Sequence, residues 1–175
     1  MRPIYASPES YPRYVGTERG AVEYYSENCQ AGMANLCANF EPIGYIPQVN
    51  HTFAYFEETY GALNEHQVGI SESTCSGVYS ALPIGAGGKA LFSIDQLSQI
   101  ALERSRTAKE AVLIIGELAE KHGFYGEDDS FEGGSESLII SDPSEAWVFH
   151  ILADPTGTSA LWAAARVPDD SVAVV

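Results

Sequence analysis

The chain has 175 residues, of which 45% are hydrophobic and 19% are charged, and its 24 acidic residues against 9 basic ones give a net charge of −15. This composition predicts one folded domain over residues 1–175, because disordered chains are poorer in aliphatic and aromatic side chains. The acidic balance disfavours nucleic acid and anionic membrane surfaces as partners, since both select basic surfaces. No apolar run reaches the ~18 residues that a membrane-spanning helix needs.

Cysteine usage and acidic clusters predict neither a metal site nor a cofactor. Cys29, Cys37 and Cys75 form an odd set without a CxxC pair, which disfavours a zinc ribbon and a disulfide framework. The acidic cluster at residues 127–129 lacks the ligand spacing of an EF-hand. No apolar secretory segment follows the first residues, and a single sequon at Asn50 is weak evidence. Secretory, lysosomal and cytoplasmic locations all stay open.

The first third of the chain predicts irregular structure that leads into a strand. Residues 1–50 are rich in Pro, Gly and Tyr and show little periodicity, although residues 21–36 are compatible with a short helix weakened by Gly32. Residues 52–60 alternate aromatic side chains with small or acidic ones, which favours a strand.

A hairpin follows that strand. Two short runs, residues 59–64 and 68–74, flank the polar tripeptide Glu-His-Gln, and Val68 and Ile70 fall on one face of the second run. The polar groups at the mouth of the turn and at the end of the second strand are suited to lining a pocket.

The segment GAGGK, residues 85–89, invites comparison with a phosphate-binding loop. Pro83 stands where the first glycine of that motif belongs, and Ala90 stands where the magnesium-binding hydroxyl belongs. We therefore interpret residues 76–92 as a glycine-rich flexible loop without a phosphate site.

Two helices have readable start signals. Ser93 with Gln96, and Thr107 with Glu110, have the spacing of capping boxes, and Gly123 is a stop signal for the second helix. The apolar stripes that should face the core are Ile94, Leu97, Ile100 and Ala101 in the first helix and Ala111, Val112, Ile115, Leu118 and Ala119 in the second.

The last part of the chain predicts an antiparallel meander. Four apolar runs, at residues 138–140, 146–152, 160–167 and 172–175, are separated by turn-forming stretches that contain Asp and Pro. Because the last run ends at Val175 without a turn or a polar tail, we expect the chain to be a portion of a larger protein.

Four segments in sequence resemble the secernin-type cysteine dipeptidases, which are N-terminal-nucleophile hydrolases. They are YPRYVGTERG at residues 11–20, LNEHQVGISEST at 63–74, LIISDPSEAWVFH at 138–150 and WAAARVPDDSVAVV at 162–175. The resemblance implies an α+β fold, an αββα sandwich of antiparallel sheets flanked by helices, of which this chain would hold an incomplete version. It also implies the hydrolysis of dipeptides or related small amides.

The nucleophile of that family is a cysteine at the mature amino terminus, whose own amine can act as the base. This sequence starts at Met1, and none of its three cysteines matches the position of the nucleophile. We therefore expect no catalytic residue here and no activity from the chain alone. Cys75, at the end of the hairpin, is the one cysteine that we would test as a nucleophile. The alternative is that it packs as a small buried hydrophobic side chain.

The resemblance carries five residues over as candidates for binding the substrate or the oxyanion. Asn64 and Glu65 match the Asn-Glu pair of the family hairpin, and Glu72, Ser73 and Thr74 match the segment that approaches the nucleophile. Amide and hydroxyl groups there can donate to an oxyanion or orient the substrate. The structural alternative is that Asn64 adopts a turn conformation and that Glu65 binds the backbone.

The leading hypothesis is a dipeptidase that acts on small peptide substrates, and two other hypotheses remain open. The first is a non-catalytic structural or interaction subunit, with a protein partner on exposed sheet edges. The second is an enzyme in which another chain supplies the terminal cysteine.

Overall fold

The structure is a computed structural model that describes residues 12–16, 42–57, 61–126 and 133–175. The predicted helix at residues 21–36, the acidic cluster at 127–129, and Cys29 and Cys37 lie outside the described residues. The strands are β1 Arg13–Val15, β2 Gly44–Ile46, β3 Tyr55–Glu57, β4 Gly61–Asn64, β5 Gly69–Cys75, β6 Ser135–Ser141, β7 Ala146–Ala153 and β8 Ala160–Arg166, and the helices are α1 Ile94–Arg104 and α2 Ala108–His122.

The described residues form an α+β fold in which strands β3 to β8 build one antiparallel sheet in sequential order. Both helices are inserted between β5 and β6, which lie side by side in the sheet with Ser73 opposite Ser137. Strands β1 and β2 form a separate two-stranded antiparallel sheet. The predicted hairpin, both predicted helices and three of the four predicted meander strands are therefore confirmed.

One face of the large sheet carries the core because apolar residues recur at every second position of its central strands. Leu138 and Ile140 of β6 and Phe149 and Ile151 of β7 are fully buried. Helix α2 lies against β6, β7 and β8, and α1 contacts α2, β3 and β4. The two helices thus place the junction between them beside the β4–β5 turn.

Helix α2 approaches the sheet closely at a glycine. A Cβ atom on Gly116 would lie 2.4 Å from Cε2 of Trp162, whose ring stacks on Phe149 with centroids 5.4 Å apart. The indole Nε1 of Trp162 donates to Glu120 at 2.7 Å. This contact fixes the distance between α2 and β8, since any larger side chain at position 116 would meet the ring.

Helix α1 is buried on its polar side as well as along its predicted apolar stripe. Asp95, Gln96, Gln99 and Glu103 are each less than 10% exposed. Glu103 accepts hydrogen bonds from Nε of Arg13 on β1, at 3.0 and 3.2 Å to its two oxygens. The two-stranded sheet is therefore joined to α1 through a buried ion pair.

The two predicted capping boxes differ from the observed caps. Ser93 occupies the N-cap position of α1, but its hydroxyl donates to the side chain of Asp95 and does not cap the helix backbone. Thr107 does cap α2, because its Oγ1 accepts from the backbone N–H of Glu110 at 3.2 Å. The carboxylate of Glu110 accepts from the N–H of Arg106 at 2.7 Å, one residue before the position that a capping box requires.

The C-terminal run at residues 172–175 is not a strand, so the prediction of a fourth meander strand is wrong. Val172 and Val174 are about nine-tenths exposed, at 91% and 88%. An apolar run becomes a strand only where a neighbouring strand accepts its hydrogen bonds. Nothing in the described sheet pairs with this run.

The loop around GAGGK forms hydrogen bonds among its own backbone groups. Its N–H groups at Ile84, Ala86, Gly88 and Ala90 donate to carbonyl groups of residues 82, 83 and 90 within the loop. A phosphate-binding loop instead points such groups at its ligand. The observed bonds agree with the sequence-based exclusion of a phosphate site.

In the described part of the chain, no helix is long and apolar enough to cross a membrane.

Asp142, in the turn between β6 and β7, also caps the start of α2. Its Oδ2 accepts from the N–H of Ala108 at 2.7 Å, and its Oδ1 accepts from the N–H groups of Ser144 and Glu145. Burial acts to raise the pKa of Asp142, but these hydrogen bonds lower it below its ordinary value. Because the pKa is lower in the folded chain, the stabilising effect is present above the unfolded pKa and disappears as the pH falls through the folded one.

We predict that Asp142→Asn lowers the free energy of unfolding by about 1 kcal/mol at pH 7, as the loss of a charged helix cap typically does. The difference from the original chain should shrink as the pH falls below about 4, because the carboxylate of the unfolded chain becomes protonated there while that of the folded chain stays charged to a lower pH. Urea unfolding at pH 7 and pH 3 measures it, with Asp170→Asn on the exposed C-terminal segment as the control. An equal difference at both pH values would contradict this account.

Candidate functional site

Asn64, at the end of β4, ties the hairpin turn to the junction of the two helices. Its side chain is buried, and its Nδ2 donates to the carbonyl groups of Leu102 at 3.0 Å and Ser105 at 2.8 Å. Its Oδ1 accepts from the N–H groups of His66 and Val68, both at 3.0 Å. This geometry matches the structural alternative for Asn64, and direct contact of its amide with a substrate would require one of these bonds to break.

The turn that follows is tight and locally held. Gln67 adopts a φ of 63°, which non-glycine residues rarely take, and its N–H donates to the carbonyl of Asn64 at 2.9 Å. Glu65 pairs with the segment before β3 through two bonds to Ala54. Its N–H donates to the Ala54 carbonyl, and its Oε1 accepts from the Ala54 N–H, each at 2.8 Å. The carboxylate of Glu65 therefore binds backbone, as the structural alternative expected.

The other three candidates lie on the second half of β5. Glu72 and Thr74 share one face, and the Thr74 hydroxyl donates to Oε1 of Glu72 at 3.1 Å. Ser73 points to the opposite face and is the register partner of Ser137 on β6. The structure thus brings Glu72 and Thr74 together, but it separates them from Ser73 by the thickness of the sheet. Asn64 and Glu65 lie at the other end of the hairpin.

A polar row that the sequence did not predict crosses the sheet beside Ser73. The hydroxyl of Ser137 lies 3.0 Å from Sγ of Cys75 and 2.5 Å from Nδ1 of His150. Ser137 is fully buried, Cys75 is partly buried and His150 is exposed. A local sequence signal for this row is weak, because Cys75 and Ser137 are 62 positions apart and meet only once β5 and β6 pair.

The chemistry available on this sheet comes from hydroxyl, carboxylate and imidazole groups. Ser73 and Thr74 can donate hydrogen bonds to a developing negative charge, and Glu72 can accept from an ammonium group. No group of three or more His, Cys, Asp and Glu side chains in the described ranges could hold a metal ion. The described groups are thus suited to binding and orienting a polar substrate.

We predict that Asn64→Ala lowers the free energy of unfolding by about 3 kcal/mol, since two buried carbonyl groups and two N–H groups lose their partner. Asn50→Ala, on an exposed loop residue, is the matched control and should have an effect within about 0.5 kcal/mol. Chemical denaturation measures both variants. A cost for Asn64→Ala below about 1 kcal/mol would show that the turn and the helix junction do not depend on this amide.

Comparison with protein families agrees with the resemblance seen in the sequence. A family model for peptidase family C69 matches residues 23–175, which covers β2 to β8 and both helices. That family contains the secernin-type dipeptidases, so the predicted relationship is confirmed. The chain belongs to peptidase family C69.

Proposed function

We propose that this domain serves the hydrolysis of dipeptides or related small amides, as part of a cysteine dipeptidase with the αββα layering of N-terminal-nucleophile hydrolases. The observation that carries the proposal is the family match over residues 23–175. An antiparallel sheet with two helices against one face is compatible with half of such a sandwich. On this proposal the opposite face, which carries Ser73 and His150, faces the second sheet.

The end of β5 forms one wall of the proposed site. A dipeptide carries an ammonium group close to its scissile amide, and the partly buried carboxylate of Glu72 is the complementary group on this strand. The hydroxyl of Thr74 already donates to Glu72 and would hold that carboxylate in place. Asn64 and Glu65 contribute by fixing the hairpin from which this strand extends.

The reaction proposed here proceeds through a thioester. A thiolate attacks the carbonyl carbon of the scissile amide, the amide nitrogen takes a proton and leaves as a free amine, and water then releases the acyl group. Negative charge develops on the carbonyl oxygen in the first step. The proposed donor to that oxygen is the Thr74 hydroxyl, which lies on the same face of β5 as Glu72 and would exchange its bond to Glu72 for one to the oxyanion.

Cys75 is not the nucleophile in this proposal. It lies within β5 in register with Ser135, so its backbone nitrogen belongs to a peptide bond and cannot act as a base. Its Sγ lies 3.6 Å from the Ser73 carbonyl and 3.0 Å from the Ser137 hydroxyl. These contacts suit a partly buried thiol with a packing role.

We predict that the purified 175-residue chain does not cleave dipeptides in a thiol-dependent manner, because the only cysteine among the described residues lacks a terminal amine. Chromatography of amino acids released from an unblocked dipeptide measures this. Turnover that alkylation abolishes and that Cys75→Ser removes would contradict both the expected inactivity and the assignment of Cys75.

We further predict that the chain binds an unblocked dipeptide such as Ala-Leu, and that Glu72→Gln weakens this binding about tenfold through the loss of a charge-assisted hydrogen bond. N-acetyl-Ala-Leu should bind more weakly than Ala-Leu. Isothermal titration calorimetry measures the affinities, with Glu117→Gln on the exposed side of α2 as the control of equal charge. Equal affinity of the two peptides, or an unchanged affinity in Glu72→Gln, would contradict the proposal that Glu72 binds the ammonium group of the substrate.

A further inference from the structure

A cleft of about 350 Å³ lies between the segment before β3 and the junction of α1 and α2. It is separate from the end of β5, and none of its lining residues belongs to the proposed peptidase wall. Its lining residues are Val49, His51, Phe53, Arg104, Arg106 and Glu110. Its volume is at the lower end of small-molecule sites, which suits a ligand the size of an amino acid.

The cleft is cationic in a strongly acidic chain. Two of the 9 basic residues line it, whereas the whole chain has 24 acidic residues and a net charge of −15. Neither Arg104 nor Arg106 forms a salt bridge within the described residues. The two arginines outweigh the single carboxylate of Glu110 in this lining by one positive charge.

Both guanidinium groups are held in position before any ligand arrives. Nη2 of Arg104 donates to the Pro47 carbonyl at 3.1 Å and to Oε1 of Gln48 at 3.4 Å. The guanidinium carbon of Arg106 lies 5.4 Å from the centroid of the Phe53 ring, within cation–π range. Such fixed positions reduce the entropy that ligand binding would otherwise cost.

An aromatic floor completes the cleft. The Phe53 ring is also flanked edge-on by His51 and His66, with centroids 5.3 and 4.3 Å away. Together with Val49 it offers an apolar surface next to the two cations. Glu110 also lines the cleft, and its Oε2 accepts a hydrogen bond from the N–H of Arg106 at 2.7 Å. Its other carboxylate oxygen forms no hydrogen bond to the described residues.

We propose that this cleft binds a small organic carboxylate of amino-acid size, with the guanidinium groups of Arg104 and Arg106 on the carboxylate and the Phe53 ring under the apolar part. Planar guanidinium groups match the geometry of a carboxylate, and the apolar floor favours an organic anion over an inorganic one. The proposal does not depend on dipeptide hydrolysis, since it involves neither Glu72 nor a nucleophile.

Three probes separate the possible ligands in calorimetric titrations of the full chain. N-acetyl-L-leucine carries a carboxylate without an ammonium group, L-leucinamide carries the ammonium group without a carboxylate, and inorganic phosphate is an anion without an apolar part. We expect N-acetyl-L-leucine to bind and the other two to bind at least tenfold more weakly. Tighter binding of L-leucinamide or of phosphate would overturn the proposal.

Substitutions then locate the binding. Arg106→Gln should weaken the binding of N-acetyl-L-leucine about tenfold or more, as the loss of a hydrogen bond to a charged group does. Arg166→Gln removes an equal charge on β8 and should leave the affinity unchanged. Glu110→Gln should strengthen binding, because the amide oxygen can still accept from the N–H of Arg106 while the repelling charge is gone.

The same titrations can also contradict the proposed binding of a carboxylate in this cleft. Equal losses of affinity for N-acetyl-L-leucine in Arg106→Gln and Arg166→Gln would show that only the net charge of the chain matters. Weaker binding in Glu110→Gln would mean that the carboxylate of Glu110 contacts the ligand. Glu72→Gln should not change the affinity for N-acetyl-L-leucine, which keeps this test distinct from that of the proposed peptidase wall. Thermal unfolding of each variant verifies that it is folded at the titration temperature.

Discussion

The amide of Asn64 is the interaction on which the arrangement of this domain most depends. A single buried side chain satisfies two carbonyl groups at the end of α1 and two N–H groups in the β4–β5 turn. Buried backbone groups left without partners each cost about 1 to 3 kcal/mol, so the turn and the helix junction are energetically coupled. The start of β5 and the start of α2 are therefore positioned from the same point.

The asymmetry of the sheet explains how one scaffold can present polar chemistry. Apolar residues on one face pack under α1 and α2, and the close approach at Gly116 fixes α2 against Trp162. The alternate positions of the same strands then point the other way and place Ser73, Ser137 and His150 in one row. The period of two in a strand thus separates the core from the polar face.

Local signals in the sequence predicted the local structure well. The hairpin, the two helices with their Thr107 cap and Gly123 stop, and the strands β6 to β8 all follow from hydrophobic periodicity and turn residues. The run at residues 172–175 has the same local pattern as a strand but lacks a partner, and a partner is a property of the whole sheet. Ser93 has the sequence of a cap, yet the burial of Asp95 provides its hydroxyl with another acceptor.

The candidate site was predictable only where the family pattern identified single residues. The sequence identified Asn64, but two of its four side-chain hydrogen bonds are to Leu102 and Ser105, which lie about 40 positions away. The row through Ser137 and the cleft at Arg104 and Arg106 likewise arise from segments that meet only after folding. The acidic composition disfavoured nucleic acid and anionic membrane surfaces as partners of the chain. A net charge does not reveal a small cationic cleft.

The location of substrate binding is tested most directly by nuclear magnetic resonance of the ¹⁵N-labelled chain during titration with an unblocked dipeptide. Our account predicts that the backbone amide signals of Glu72, Ser73 and Thr74 shift in a saturable way, and that these shifts are absent with a dipeptide whose amine is acetylated. Shifts that leave β5 unchanged at saturating dipeptide would contradict the assignment of this strand as a wall of the peptidase site.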